Sequence, residues 1–118
     1  MDNATELKQA IVKIVTRFEQ DQMRITPNLI SVTLEPGLLV VTLRGVTSQA
    51  ERQLAKQEDG RARLQELFRR LFDSVKVDLE RSIENSLKQT VRRSRLDVDP
   101  ESGSGILLFD LGNFATID

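Results

Sequence analysis

Leu64, Leu67, Phe68, Leu71, Phe72, Val75, Leu79, Ile83 and Leu87 recur at steps of three and four residues, and no other feature of the chain constrains its fold as strongly. Apolar side chains at that spacing line one face of an α-helix, a face that something else must cover. The stripe predicts a helix from about Arg61 to Lys88, roughly 42 Å long at ~1.5 Å per residue. One small sheet covers such a helix poorly, which points to a homodimer formed through it.

Ahead of it, Leu7, Ile11, Ile14 and Phe18 form a shorter stripe of the same period, widened by Ala10 and Val15. It predicts a helix from about Thr5 to Gln20, with Asn3 and Glu6 at capping-box spacing. Pro27 stops any continuation, and Ile30, Val32 and Leu34 then alternate with Ser31 and Thr33, the period of a half-buried strand. Glu35-Pro36-Gly37 has type II turn chemistry, because proline sets φ at the first central position and glycine accepts the positive φ of the second. Leu38 to Arg44 completes an antiparallel hairpin closed by Gly45.

Ser48 with Glu51 three residues later marks a helix start. Leu54 and Ala55 continue that helix and Gly60 weakens it, so a short helix is expected to lead by a kink into the long one. Thr90 to Val98 reads as a third strand, Asp99 to Gly105 as a loop and Ile106 to Phe109 as a fourth strand. The fold class is therefore α+β, a helix–hairpin–helix–hairpin chain whose four-stranded antiparallel sheet is covered by helices. All 118 residues are expected to form one domain.

The chain has neither Cys nor His. This excludes disulfides, thiolate or imidazole zinc sites and every triad built on a Cys or His. No catalytic constellation, metal site or cofactor is predicted, and the chain reads as a non-enzyme. The acidic start, Met1-Asp2-Asn3-Ala4-Thr5-Glu6, is unlike a secretory signal, and no run approaches the ~20 apolar residues that span a bilayer. The expected location is cytoplasmic, peripheral to a membrane only through a partner or an anionic surface.

The net charge is −1, but its distribution is uneven. Residues 61–95 carry ten Lys/Arg against five Asp/Glu, whereas residues 96–118 carry five acids and no base. The strongest candidates for binding are Arg92, Arg93 and Arg95 on the third strand, supported by Arg61, Arg63, Arg69 and Arg70 on the long helix. Guanidinium groups hold carboxylates or phosphates in bidentate fashion, which suits an acidic protein, an anionic membrane surface or nucleic acid. Against this, Glu66–Arg70, Arg69–Asp73, Lys76–Glu80 and Glu84–Lys88 are spaced to pair along a solvated helix face, and charges on a strand edge also serve to block aggregation.

Phe is the only aromatic type, and Phe18, Phe68, Phe72 and Phe109 lie on apolar faces, so stacking platforms for bases are missing. Asp97, Asp99, Glu101 and Asp110 have the chemistry to surround a hard cation but lack the spacing of a Ca²⁺ loop. Ser102-Gly103-Ser104-Gly105 reads as a turn.

The run Leu43-Arg44-Gly45-Val46-Thr47-Ser48-Gln49-Ala50-Glu51-Arg52-Gln53-Leu54-Ala55, followed by Gly60-Arg61 and a long leucine-bearing helix, resembles the bacterial family named for MpsC. MpsC is the C component of a proposed sodium-translocating membrane-potential-generating system. The resemblance runs from the first helix through Leu111, and its most specific part is the strand-to-helix junction ending in Ala50-Glu51-Arg52. It implies a membrane-linked role. The family pattern sets a His beside a Ser-Asp pair in the third strand, where this chain reads Arg93-Ser94-Arg95-Leu96-Asp97. The expected function is that of a non-catalytic interaction or regulatory subunit, acting as a homodimer and docking through Arg92, Arg93 and Arg95. Sequence-independent nucleic-acid binding through the same strand is the alternative, and sensing of a phosphorylated metabolite a third reading.

Overall fold

The computed structural model describes residues 3–112. Its elements run α1 (Asn3–Asp21), β1 (Leu29–Glu35), β2 (Leu38–Arg44), α2 (Gln49–Leu54), α3 (Glu58–Leu87), β3 (Arg93–Asp99) and β4 (Ser104–Asp110). The strands form one antiparallel sheet in the order β1-β2-β4-β3, so the two hairpins meet along β2 and β4 while β1 and β3 are its edges. The fold is thus the expected α+β arrangement of two helix–hairpin units. Pro36 and Gly37 make the β1–β2 turn, and Gly37 has the positive φ, 79°, that a type II turn demands. The Asn3 cap rests on a side chain outside the described residues.

Strand alternation assigns the two faces of the sheet. Leu39, Val41, Leu43, Leu96, Val98, Leu107 and Phe109 point inward and are buried. They meet Ile11, Val15 and Phe18 of α1 and Leu64, Phe68, Phe72, Leu79, Ile83 and Leu87 of α3 in one aliphatic core with few aromatics. Phe18 and Phe72 pack edge to face, with ring centroids 5.9 Å apart and an interplanar angle of 83°. α1 lies against β1, α3 lies against β3, and the two helices touch each other.

α3 is 30 residues long and matches the longest dimension of the molecule, 45 Å. Its buried residues nevertheless run from Gly60 to Leu87, because α2, α1 and the sheet of the same chain lie along it. The length of the helix therefore does not by itself call for a second copy, contrary to the argument from its stripe. Leu67, Leu71 and Val77 are the large apolar side chains it leaves exposed among the described residues.

Several boundaries shift for identifiable reasons. The helical break falls at residues 55–57 and not at Gly60, which sits in the first turn of α3. A Cβ on Gly60 would lie 2.3 Å from the carbonyl oxygen of Leu54, so glycine lets α3 start hard against the end of α2. Gly60→Ala is accordingly expected to destabilise the protein by about 1–3 kcal/mol through overpacking, although alanine is the better helix former by about 1 kcal/mol. A thermal melt checks the sign, and a raised Tm would refute the close-approach role.

β3 begins at Arg93 and not at Thr90, because the segment before it is tied to the helix. Lys88 ends α3 in the left-handed conformation at φ 59°, and the Val91 N–H donates to Glu84 Oε2 at 2.8 Å. Glu80 accepts from the Ser94 hydroxyl, so Glu80 joins α3 to β3 and Glu84 joins it to the segment just before β3, instead of pairing with Lys76 and Lys88. Lys76 pairs with Asp73 at 3.5 Å.

Candidate interaction surface

The residues that alternate with the core positions form a face of the sheet that no described helix covers. By register, β3 presents Arg93, Arg95, Asp97 and Asp99, and β4 presents Asp110, Leu108, Ile106 and Ser104 beside them. β2 continues the same rows with Leu38, Val40, Thr42 and Arg44, and β1 with Glu35, Thr33, Ser31 and Leu29. Leu38, Val40 and Leu108 are half-buried, while Ile106 and Leu29 are exposed. The result is an apolar stripe along β2 and β4, bordered on one side by the charges of β3. Leu38, Leu108, Arg93, Arg95 and Asp110 also line a shallow depression of about 470 Å³ on this face.

Of the arginines singled out from the sequence, this face holds Arg93 and Arg95 alone. Arg93 pairs with Asp110 across the strands at 3.4 Å, and Arg95 pairs with Asp97 along its own strand at 2.8 Å. Arg92 precedes β3, and its alkyl stem lies against Gly112. Arg63 and Arg70 lie on α3, in the layer on the other side of the sheet, where Arg63 pairs with Asp59 at 3.4 Å and Arg70 with Glu66 at 3.1 Å. Arg69 bridges Glu66 and Asp73, and Arg61 reaches Glu101 of the β3–β4 loop at 3.7 Å. The hydrogen bond from Arg70, helped by Arg69, holds the Glu66 carboxyl below the usual carboxylate range. The helix arginines are thus a solvated ion-pair ladder, and the structure does not bring Arg63 or Arg70 to Arg93 and Arg95.

The open face balances three arginines, Arg44, Arg93 and Arg95, against four carboxylates, Glu35, Asp97, Asp99 and Asp110. Phosphate backbones are held by surfaces with a net positive charge, and bases by exposed aromatic rings. This face has no net positive charge, and Phe18, Phe68, Phe72 and Phe109 are all in the core. The acids considered as cation ligands are dispersed: Asp97 and Asp110 serve arginines, Glu101 serves Arg61, and Asp99 Oδ1 accepts from the Glu101 N–H at 3.2 Å.

The strand-to-helix junction has a different task. Ser48 and Glu51 complete the capping box, with hydrogen bonds of 3.1 and 2.8 Å. The buried Thr47 hydroxyl donates to the Pro100 carbonyl at 3.2 Å, and the Val46 N–H donates to the Gly103 carbonyl at 3.0 Å. Arg52 in turn donates to the Thr47 carbonyl. Val46, Thr47 and Arg52 therefore clasp the β3–β4 loop to the start of α2, which gives the junction a structural reason for its residues.

Alternation by two, applied to β3, would have separated Arg93 and Arg95 from the helix arginines. Ser94, Leu96 and Val98 must face the core, which sends the odd-numbered residues outward. What sequence reasoning missed is Glu19, four residues beyond Val15 and eight beyond Ile11 on the most buried line of α1. It is only 1% exposed, its Oε2 has no hydrogen-bond partner among the described residues, and burial raises its pKa from 4.5 to about 7.

Fold and surface together define a small two-layer α+β domain with one sheet face left open. The chain belongs to the MpsC family: the family described as Na+-translocating membrane potential-generating system (MpsC) matches residues 3–113. No curated protein and no solved structure matches it.

Proposed function

We propose that this chain is a non-catalytic interaction or assembly subunit of a membrane-associated complex, docking through the open face of its sheet and acting as a homodimer. The observation that carries this reading is the face itself, with Leu38, Val40, Ile106 and Leu108 bordered by Arg93 and Arg95. A hydrophobic centre with a charged margin is the composition of a protein-docking surface. The family description supplies the membrane setting. No described helix is long and apolar enough to cross a membrane. The absence of His and Cys from the chain supports binding over catalysis.

Affinity capture of the tagged chain from its native cells tests this, with nuclease and detergent treatments in parallel. A discrete membrane-complex protein is expected with the wild type. Arg93→Glu with Arg95→Glu is expected to reduce its recovery about tenfold or more, whereas Arg63→Glu with Arg70→Glu, on the far layer, leaves it unchanged. Capture that vanishes on nuclease treatment would turn the reading to nucleic acid, and equal recovery with all variants would remove the open face from it.

A further inference from the structure

The charges of β3 are ordered. Along the exposed side of this edge strand they read Arg93, Arg95, Asp97, Asp99, two positive and then two negative. An acidic partner would meet Asp97, Asp99 and Asp110 as well as the arginines, and a basic partner would meet Arg93 and Arg95, so neither suits the whole strand. The surface that matches it at every position is its own inverse. We propose that a second copy of this chain docks on the open face, related by a two-fold axis that crosses the strands between the Arg95 and Asp97 rows. The inference rests on the docking role proposed for this face and names its occupant.

In that arrangement Arg95 of each copy faces Asp97 of the other, and Arg93 faces Asp99. In the neighbouring columns Leu108 lies over Ile106 of the second copy and Val40 over its Thr42, so the middle of the apolar stripe covers itself, while at the ends Leu38 lies over Arg44 and Glu35 over Leu29. The other two-fold arrangement, with its axis along the strands, sets β3 over β1, where Arg93 meets Glu35 but Arg95 meets Thr33, Asp97 meets Ser31 and Asp99 meets Leu29, and so keeps only one of the two charge pairs. Charge order thus favours the axis that crosses the strands, with two opposite-charge pairs per copy against one.

Area sets the strength. Four seven-residue strands, at about 4.8 Å between strands and about 3.4 Å per residue, give a sheet face of roughly 450 Å² per copy. That is at the low end for specific interfaces, so the dimer is reversible, depends on concentration and weakens with salt.

Sedimentation of the full chain from about 1 µM to about 1 mM, at low and high salt, tests the proposal. The mass is expected to climb from 13.4 kDa towards twice that, and less so at high salt. Arg95→Asp makes the inner pair wholly acidic and Asp97→Arg makes it wholly basic. Each variant alone is expected to raise Kd about tenfold or more, an equal mixture of the two to associate again, and the double exchange Arg95→Asp with Asp97→Arg to restore self-association. Both side chains are exposed, so the variants keep the fold, as circular dichroism would verify. Ile106→Asp is expected to abolish association. A dimer paired through the β3 edge would survive that change, and its survival would overturn the face arrangement. A wild type that stays at 13.4 kDa throughout, or a mixture that fails to associate, overturns the inference. If the wild type stays at 13.4 kDa throughout while capture from cells yields a different protein whose recovery depends on Arg93 and Arg95, the docking role stands and the face belongs to that protein.

Discussion

Phe72→Ala is expected to remove about 3–5 kcal/mol of stability, the cost of truncating a fully buried aromatic and leaving a cavity. Phe72 is 1% exposed, and its ring stands edge to face with Phe18, so the change empties the contact between α1 and α3 and breaks an aromatic pair as well. The consequence is large because net stability for a domain of this size is only about 5–15 kcal/mol. Leu67→Ala, one turn away on the same helix but 48% exposed, is expected to change stability by under about 0.5 kcal/mol. Urea titration measures both. A fall in midpoint of about 1–3 M for Phe72→Ala at nearly unchanged slope would match a core role, whereas equal effects for the two variants would mean that α3 is not held by this stripe.

The element order was legible in the sequence because each element carries a period that only one structure satisfies. Leu64, Phe68, Phe72, Leu79, Ile83 and Leu87 have no reading except a helix, and Glu35-Pro36-Gly37 between two β-rich runs has none except a hairpin turn. Position in space was harder to read. Arg63, Arg70 and Arg93 look like one basic cluster along the chain, but the sheet lies between the two helix residues and the strand residue, so they serve different surfaces. Arg92 looks like a strand residue until Glu84 is seen to hold Val91 near the end of α3, delaying the strand by three residues.

The family junction shows a related limit. Its residues are specific, yet their hydrogen bonds go to Pro100 and Gly103, partners that lie some fifty residues away and that no local pattern announces. Tying the β3–β4 loop to the start of α2 also holds β3 and β4 in the register that sets Arg95 and Asp97 out on the open face. Local capping chemistry and the geometry of the candidate surface are connected through this clasp.

Glu19→Leu is expected to stabilise the protein by about 3 kcal/mol above pH 7, a gain opposite in sign to most core substitutions. The sign follows from the proton balance. In the unfolded chain Glu19 ionises near 4.5, while in the fold burial holds it protonated to about pH 7. Below pH 4.5 both states carry the proton, and the fold bears no penalty from ionisation. Between the two values the unfolded state releases a proton that the folded state keeps, so stability declines as pH rises, by up to about 1.4 kcal/mol per unit. Above about pH 7 the folded state is ionised too, the decline stops, and the full loss persists. Glu19→Gln keeps the shape and removes the titration, so its stability relative to wild type should rise from pH 4.5 to 7 and then level off. Taking the difference between the two proteins cancels the exposed ion pairs such as Arg70–Glu66, whose carboxyl is held low by its hydrogen bond and which therefore loses its contribution only as pH falls. Urea midpoints at pH 5, 6, 7 and 8 decide the matter, since parallel pH profiles for wild type and Glu19→Gln would mean that the carboxylate finds water or a cation in the folded protein.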